Sequence, residues 1–167
     1  MMGLLGFWGM ILPVADSGAE TLQGKIVAGI VEPVVIGASG IVVEAKIDTG
    51  ADSCSLDARN IQPFEKDGGR WVRFEVTGRD GRSETLEASL VRTVRIKGDD
   101  RNAPRRPVVR LSLCLGSVLR TVDVNLANRH GYSYPALVGR NFLAGRVVVD
   151  SGRERLTHPD CPAAPPR

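Results

Sequence analysis

At 167 residues this chain has room for one domain with short tails, and with 43% hydrophobic and 25% charged residues it can bury an ordinary core. Aromatic residues are only 5%, so that core is built mainly from Val, Leu and Ile, a composition that suits strands. The net charge of +3 is mildly basic. Its densest stretch holds Arg92, Arg95, Lys97, Arg101, Arg105, Arg106 and Arg110, interrupted by Asp99 and Asp100, with no interleaved aromatics and no recognition motif, which argues against nucleic acid as a partner. The stretch reads either as a solvated loop or as a patch that attracts acidic peptide.

Residues 1–14 are apolar, carry no Lys or Arg, and are too short to span a bilayer comfortably. Ser17, Gly18 and Ala19 supply small residues of the kind signal peptidase accepts. Residues 1–23 are therefore expected to be a signal-peptide-like or disordered segment, leaning toward an exported, periplasmic protein, with the cytoplasm as the alternative. Residues 25–36 read as a strand, or as two strands broken at Pro33, followed by a turn at Gly37-Ala38-Ser39-Gly40. Residues 41–47 form an apolar strand. Residues 56–61 read as a helical turn or a short strand, and 71–77 alternate as a half-buried strand. Gly78-Arg79-Asp80-Gly81 has the composition of a hairpin turn, and 83–96 continue as strand. After a polar loop at 98–104, residues 107–115 and 118–126 form a hairpin about Gly116-Ser117. Residues 128–134 form a loop containing His130, 137–138 a buried strand, and 146–149 a strand turned at Asp150-Ser151-Gly152. The folded domain is placed at 24–156, and the Pro-rich residues 157–167 are read as a disordered tail. Many short strands joined by Gly-rich turns predict a mainly β, single-domain, closed β-barrel. The three cysteines, Cys54, Cys114 and Cys161, permit one disulfide whose pairing the sequence leaves open.

The strongest motif is Asp48-Thr49-Gly50-Ala51, at the end of the strand 41–47. A strand ending in Asp-Thr-Gly-Ala resembles the way aspartic proteases present a carboxylate to a cleft, with Thr bracing the loop and Gly removing a Cβ where backbone approaches closely. A second segment, Leu137-Val138-Gly139-Arg140-Asn141-Phe142-Leu143, resembles the retropepsin strand that passes behind the catalytic loop and leads into a short helix, here expected over 141–144. Together with Trp71-Val72-Arg73-Phe74, Arg106-Pro107-Val108-Val109, Leu113-Cys114-Leu115-Gly116 and Val122-Asp123-Val124-Asn125-Leu126, these motifs resemble a bacterial retropepsin-like aspartic protease family. That family is often labelled ATP-dependent zinc protease or RimK/LysX-associated.

The resemblance implies a retropepsin-type acid-protease barrel with one short helix. It implies an aspartic endopeptidase whose catalytic loop is Asp48, Thr49, Gly50 and Ala51, with Leu137, Val138, Gly139, Arg140 and Asn141 supporting it from behind. The chain carries one Asp-Thr-Gly motif, and the reaction needs two carboxylates sharing one proton, so a homodimer is required. Ala51 provides no hydroxyl to the carboxylate, which favours work nearer neutral pH. The hairpin at 78–81 is the candidate flap. Arg106 is a candidate substrate-binding residue, with an internal Asp as the favoured partner. Asp52 or Asp57 paired with Asp48 in one chain is a weaker reading, and Asp123 and Asp150 read as pairing or loop groups. The expected partners are a peptide or protein substrate and, through the family, RimK-like ligases. The alternative function is a catalytically weak or inactive binding or regulatory domain acting on acidic, glutamylated tails. No His-Glu-x-x-His and no Gly-x-x-x-x-Gly-Lys-Ser/Thr occurs, and His130 and His158 lie far apart, so the residues give no support to zinc or ATP as cofactors.

Overall fold

The computed structural model describes residues 24–95 and 105–162. The signal-like segment 1–23, the stretch 96–104 that holds Lys97 and Arg101, and the end of the tail, 163–167, lie outside the described residues.

Eleven short strands and one four-residue helix follow one another in the described chain: β1 (Ile26–Gly29), β2 (Val31–Ile36), β3 (Ile41–Ile47), β4 (Cys54–Asp57), β5 (Arg59–Lys66), β6 (Gly69–Thr77), β7 (Ser83–Arg95), β8 (Arg105–Leu115), β9 (Val118–Ala127), β10 (Ala136–Val138), α1 (Arg140–Leu143) and β11 (Val147–Asp150). The ladder β2-β3-β10-β4-β9-β8 closes on itself where Val35 and Ile36 of β2 pair with Cys114 and Leu113 of β8. The result is a closed six-stranded barrel of the retropepsin type. The meander β7-β6-β5 extends from β8, and its Val72, Phe74, Val76 and Ala88 join the barrel core. A separate two-stranded parallel sheet pairs β1 with β11.

Period-two burial sets which side chains reach the surface beside the Asp48 loop. Along β3, Ile41, Val43, Ala45 and Ile47 are buried, whereas Lys46 is exposed. On β10 and β4, Ala136, Val138, Cys54 and Leu56 turn inward, leaving Leu137 and Ser55 on the outer face. Lys46, Leu137 and Ser55 are consecutive cross-strand partners, so they form one row on the outside of the barrel.

Several boundaries differ from expectation for local reasons. The chain breaks at Ile30 rather than Pro33. Gly29 packs so tightly on the chain after β11 that a Cβ there would lie 2.4 Å from the Arg153 carbonyl oxygen. Pro33 sits inside β2, paired with Glu44, where β8 has not yet joined the other edge. The Val31 carbonyl turns to that edge to accept the Arg155 N–H. The Pro33 nitrogen, two residues on, turns the same way, so its missing N–H leaves no ladder bond unmade. Residues 56–61 divide between β4 and β5, the corner being made at buried Ala58 and at Asn60, whose φ is 50°.

The larger correction concerns the tail. The first part of the stretch read as disordered, 157–162, is pinned. Thr157 donates its N–H and hydroxyl to the buried carboxylate of Glu32, which also accepts N–H groups from Gly29 and Leu156. The Asp160 N–H bonds the Gly116 carbonyl at 2.8 Å, and Cys161 forms a disulfide with Cys114. Composition pointed to disorder, but a covalent link and a buried acceptor override it.

Candidate active site

Asp48 is delivered by β3 and held at its backbone, where its N–H bonds the Val138 carbonyl at 3.0 Å. Its carboxylate accepts the Gly50 N–H at 3.0 Å through Oδ1, and Lys46 Nζ stands 4.0 Å from Oδ2. The side chain is 29% exposed, so the carboxylate is supported yet reachable. A Cβ on Gly50 would sit 3.3 Å from Oδ1, so glycine leaves that oxygen uncrowded. Thr49 and Gly50 are exposed at the tip.

The loop is braced from behind by the segment that begins α1. The Arg140 guanidinium donates to the Thr49 carbonyl at 3.0 Å and the Gly50 carbonyl at 2.8 Å, and it pairs with the Asp52 carboxylate. Its backbone N–H bonds the Ala51 carbonyl at 2.8 Å. One cationic fork thus satisfies consecutive loop carbonyls that would otherwise meet only water. Asn141 continues the brace. Its Oδ1 accepts the Cys54 N–H and thiol, each at 3.1 Å, and its Nδ2 donates to the Asp123 carbonyl at 2.8 Å. Gly139 sits where a Cβ would lie 2.7 Å from the Ser53 carbonyl oxygen and 2.8 Å from that of Ala51. Val138 is buried and pairs with Ile47, and Leu137 pairs with Lys46. All five supporting residues therefore converge on the Asp48 loop or on the strand that carries it.

Cys54 is the member that sequence reasoning passed over. Its sulfur accepts the Gly139 N–H at 3.4 Å while donating to Asn141. Burial pushes this thiol up to about 11, against the opposing pull of the Gly139 and Phe142 backbone and the Arg120 charge. It is therefore a protonated donor at ordinary pH rather than a nucleophile. The available signal was the period-two register of Cys54 and Leu56, which turns the thiol inward beneath the loop. Lys46 was also legible, since a residue two before Asp48 shares its face.

Other expectations are redistributed. Asp52 turns to Arg140, and Asp57, at the far end of β4, accepts the Arg129 N–H at 2.6 Å, so neither completes a dyad with Asp48 within one chain. Asp123 pairs with Arg92 at 2.6 Å and Arg110 at 2.9 Å, and Asp150 pairs with Arg153. Arg106 lies at the start of β8, apart from the loop, and no described carboxylate forms an ion pair with it. The favoured internal Asp is thus not found among the described residues, and Asp99 and Asp100 lie outside them. The turn at 78–81 docks on the beginning of β3, where the Arg79 N–H bonds the Val42 carbonyl at 2.8 Å. Six residue steps, about 20 Å, separate that contact from Asp48, so this hairpin is not placed as a flap. His130 and His158 are exposed, and among the described residues no three His, Cys, Asp or Glu side chains gather as a metal site would require.

A six-stranded barrel that presents one Asp-Thr-Gly loop, backed by a Gly-Arg-Asn segment, defines a retropepsin-like domain. The chain belongs to the RimB-like family, described as retropepsin-like aspartic endopeptidase RimB, whose family model matches residues 27–160. It is 33% identical over 130 residues to a probable alpha-L-glutamate ligase of Parasynechococcus marenigrum (strain WH8102), covering 75% of this chain and 28% of that protein. It is 29% identical over 132 residues to a protein of the same name from Shewanella pealeana, covering 77% and 29%. The chain therefore spans less than a third of the length of these curated relatives. A crystal structure of a Legionella pneumophila protein of unknown function (DUF785) superposes with a TM-score of 0.69 at 35% identity, covering 79% of this chain and 98% of that one.

Proposed function

We propose that this protein is an aspartic endopeptidase that works as a homodimer, each subunit contributing its Asp48. A partly exposed carboxylate at the rim of a backbone-locked loop, present once per chain, is the observation that carries this reading. In the dimer the two carboxylates share one proton and hold one water. The ionised one takes a proton from the water as its oxygen attacks the scissile carbonyl carbon. The protonated one donates its proton to the carbonyl oxygen, giving a neutral diol. Collapse of the diol breaks the C–N bond as a carboxyl proton passes to the leaving nitrogen. Thr49 is exposed at the loop tip, which supports its bracing its counterpart across the two-fold axis of such a dimer. The Cys114–Cys161 disulfide suits an oxidising compartment, in keeping with the export reading of the N-terminal segment.

A second reading is favoured by one observation. The matching region is a minor part of proteins named probable alpha-L-glutamate ligases. On that reading this domain binds or regulates at acidic, glutamylated tails beside RimK-like ligases, with weak or no catalysis. Sedimentation over a wide concentration range, paired with a peptide-library cleavage assay on wild type and Asp48→Asn, separates the two. A dimer that cleaves, with Asp48→Asn still dimeric but inert, is the expected outcome. A chain that stays monomeric at high concentration and cuts nothing would refute the peptidase reading.

A further inference from the structure

Two charged side chains are buried among the described residues, Glu32 and Arg129. Glu32 is fully engaged by Gly29 and by the chain after β11, but Arg129 is not. With only 9% of its surface exposed, Arg129 donates from Nε to the Tyr134 carbonyl at 3.1 Å and from Nη1 to Ser55 Oγ at 3.4 Å, and it stacks on the Tyr132 ring at 4.5 Å. Among the described residues its Nη2 hydrogens meet no acceptor. Since no fully enclosed side-chain nitrogen or oxygen among the described residues lacks a hydrogen bond, that edge of the fork opens to solvent. The exposed edge of a guanidinium fork is the geometry that takes a carboxylate.

Arg106 adds a second cation. The β8–β9 register pairs Val108 with Asn125 and, carried on, sets Arg106 beside Ala127, two residues before Arg129. Asp57 is the nearby acid, and its Oδ1 is taken by the Arg129 backbone N–H. Among the described residues no carboxylate is within ion-pair distance of either guanidinium, and two arginines against Asp57 leave this described cluster net positive. Burial holds the Arg129 guanidinium below its ordinary value. Tyr132 and Asp57 oppose that shift, and the Arg106 charge adds to it.

The position relates this pair to Asp48. Arg129 reaches Ser55, which pairs with Leu137, which pairs with Lys46, all on the outer face. Two inter-strand steps of about 4.8 Å separate Lys46 from Ser55, so the guanidinium stands roughly 10–15 Å from Asp48, the reach of three or four extended residues. We propose that Arg129 and Arg106 form a carboxylate-binding subsite on the face that carries Asp48. It would take either an acidic side chain or the terminal carboxylate of a peptide lying across β3, β10 and β4. The proposal uses the peptidase reading only to say which bond the peptide would present.

The test is isothermal titration of the full chain carrying Asp48→Asn, so that no probe is cut. The probes are acetyl-tetraglutamate amide, acetyl-tetraglutamine with a free terminal carboxylate, and acetyl-tetraglutamine amide. The neutral amide should not bind, and one or both carboxylate peptides should, the choice identifying the source of the carboxylate. Arg106→Gln, which removes a side chain with no hydrogen bond or ion pair among the described residues, should weaken binding by roughly tenfold or more, as loss of a charge-assisted bond does. Arg129→Lys should do the same by losing the fork while keeping the charge. Arg82→Gln, on the remote hairpin, should change nothing. Equal binding of the neutral peptide, unchanged affinity in Arg106→Gln, or no binding of any probe would overturn the subsite. Carboxylate binding lost in Arg106→Gln, in a protein whose wild type cuts nothing, would uphold the subsite and sink the peptidase reading. Cleavage of neutral peptides without carboxylate binding would do the reverse.

Discussion

Replacing Gly139 with alanine tests whether the backing segment positions the Asp48 loop. Gly139 has φ −100° and ψ −176°, an extended conformation open to any residue, so alanine brings no backbone penalty. The effect is steric alone. The new Cβ would lie 2.7 Å from the Ser53 carbonyl oxygen and 2.8 Å from that of Ala51, about 0.7 Å inside ordinary contact. The Ala51 carbonyl does not yield cheaply, because it accepts the Arg140 N–H, and residue 139 cannot retreat freely, because its own N–H is held on Cys54. Overpacking of this kind costs about 1–3 kcal/mol. A displacement approaching 1 Å in reacting groups lowers a rate by about a hundredfold. Gly131→Ala is the matched control, since nothing lies within 4 Å of a Cβ there. Chemical unfolding and peptide cleavage should show Gly139→Ala destabilised by about 2 kcal/mol and slowed a hundredfold, with Gly131→Ala within about 0.5 kcal/mol of wild type. Wild-type stability and rate in Gly139→Ala would refute the bracing argument.

Two further predictions concern the cysteines. The Cys114–Cys161 bridge spans 47 residues. In the chain-entropy account such a loop stabilises by about 4 kcal/mol, so Cys161→Ser or a reductant should lower the melting temperature by roughly 10 °C, and an unchanged transition would show the link is absent or idle. The Cys54 thiol is raised to about 11, whereas an unfolded cysteine titrates near about 8.5. A raised value means its contribution is complete below the unfolded value and is lost as pH climbs toward the folded one. At pH ~10.5 wild type should therefore have lost about 2–3 kcal/mol more than Cys54→Ser, measured by urea unfolding against neutral pH. Parallel pH profiles for the two proteins would contradict the buried, protonated thiol.

What the sequence made legible follows physical range. Strand periodicity places Val72, Phe74 and Val76 inward without reference to any partner, and the Asp48 loop is announced by its own residues. The convergence of residues 137–141 on that loop depends on β10 lying between β3 and β4, which no local pattern states, so it was reached by resemblance. The hairpin at 78–81 had the right turn chemistry but the wrong destination, since a turn motif does not say which end of β3 it will meet. The docking of 157–162 was hidden because composition reports the local tendency of Pro and Ala, whereas Glu32 and Cys114, more than a hundred and nearly fifty residues earlier, decide the outcome. Arg129 was overlooked for a similar reason. An arginine in a polar loop looks solvated until Tyr132, Tyr134 and Ser55 close around it.

The distribution of bonds about the loop bears on how a two-carboxylate reaction could be assembled from single-motif chains. Residues 48–52 are held by contacts from Val138 and from the Arg140 and Asn141 N–H groups at the main chain, and by the Arg140 fork at Thr49, Gly50 and Asp52. The Asp48 carboxylate and Thr49 are among the groups of this loop left outward, with Gly50 and Asp52, and are the two that a second copy would have to meet in the proposed dimer. Lys46 lies near that carboxylate, but at 4.0 Å and with 54% of its side chain exposed it is a weak, screened partner. Two carboxylates brought within about 4 Å repel by about 4 kcal/mol at the effective dielectric of a protein surface unless a proton is shared between them. In the proposed dimer each loop would enter already braced by its own Arg140. Assembly of that dimer would take up one proton at the axis, tying it to the protonation state that the proposed chemistry requires.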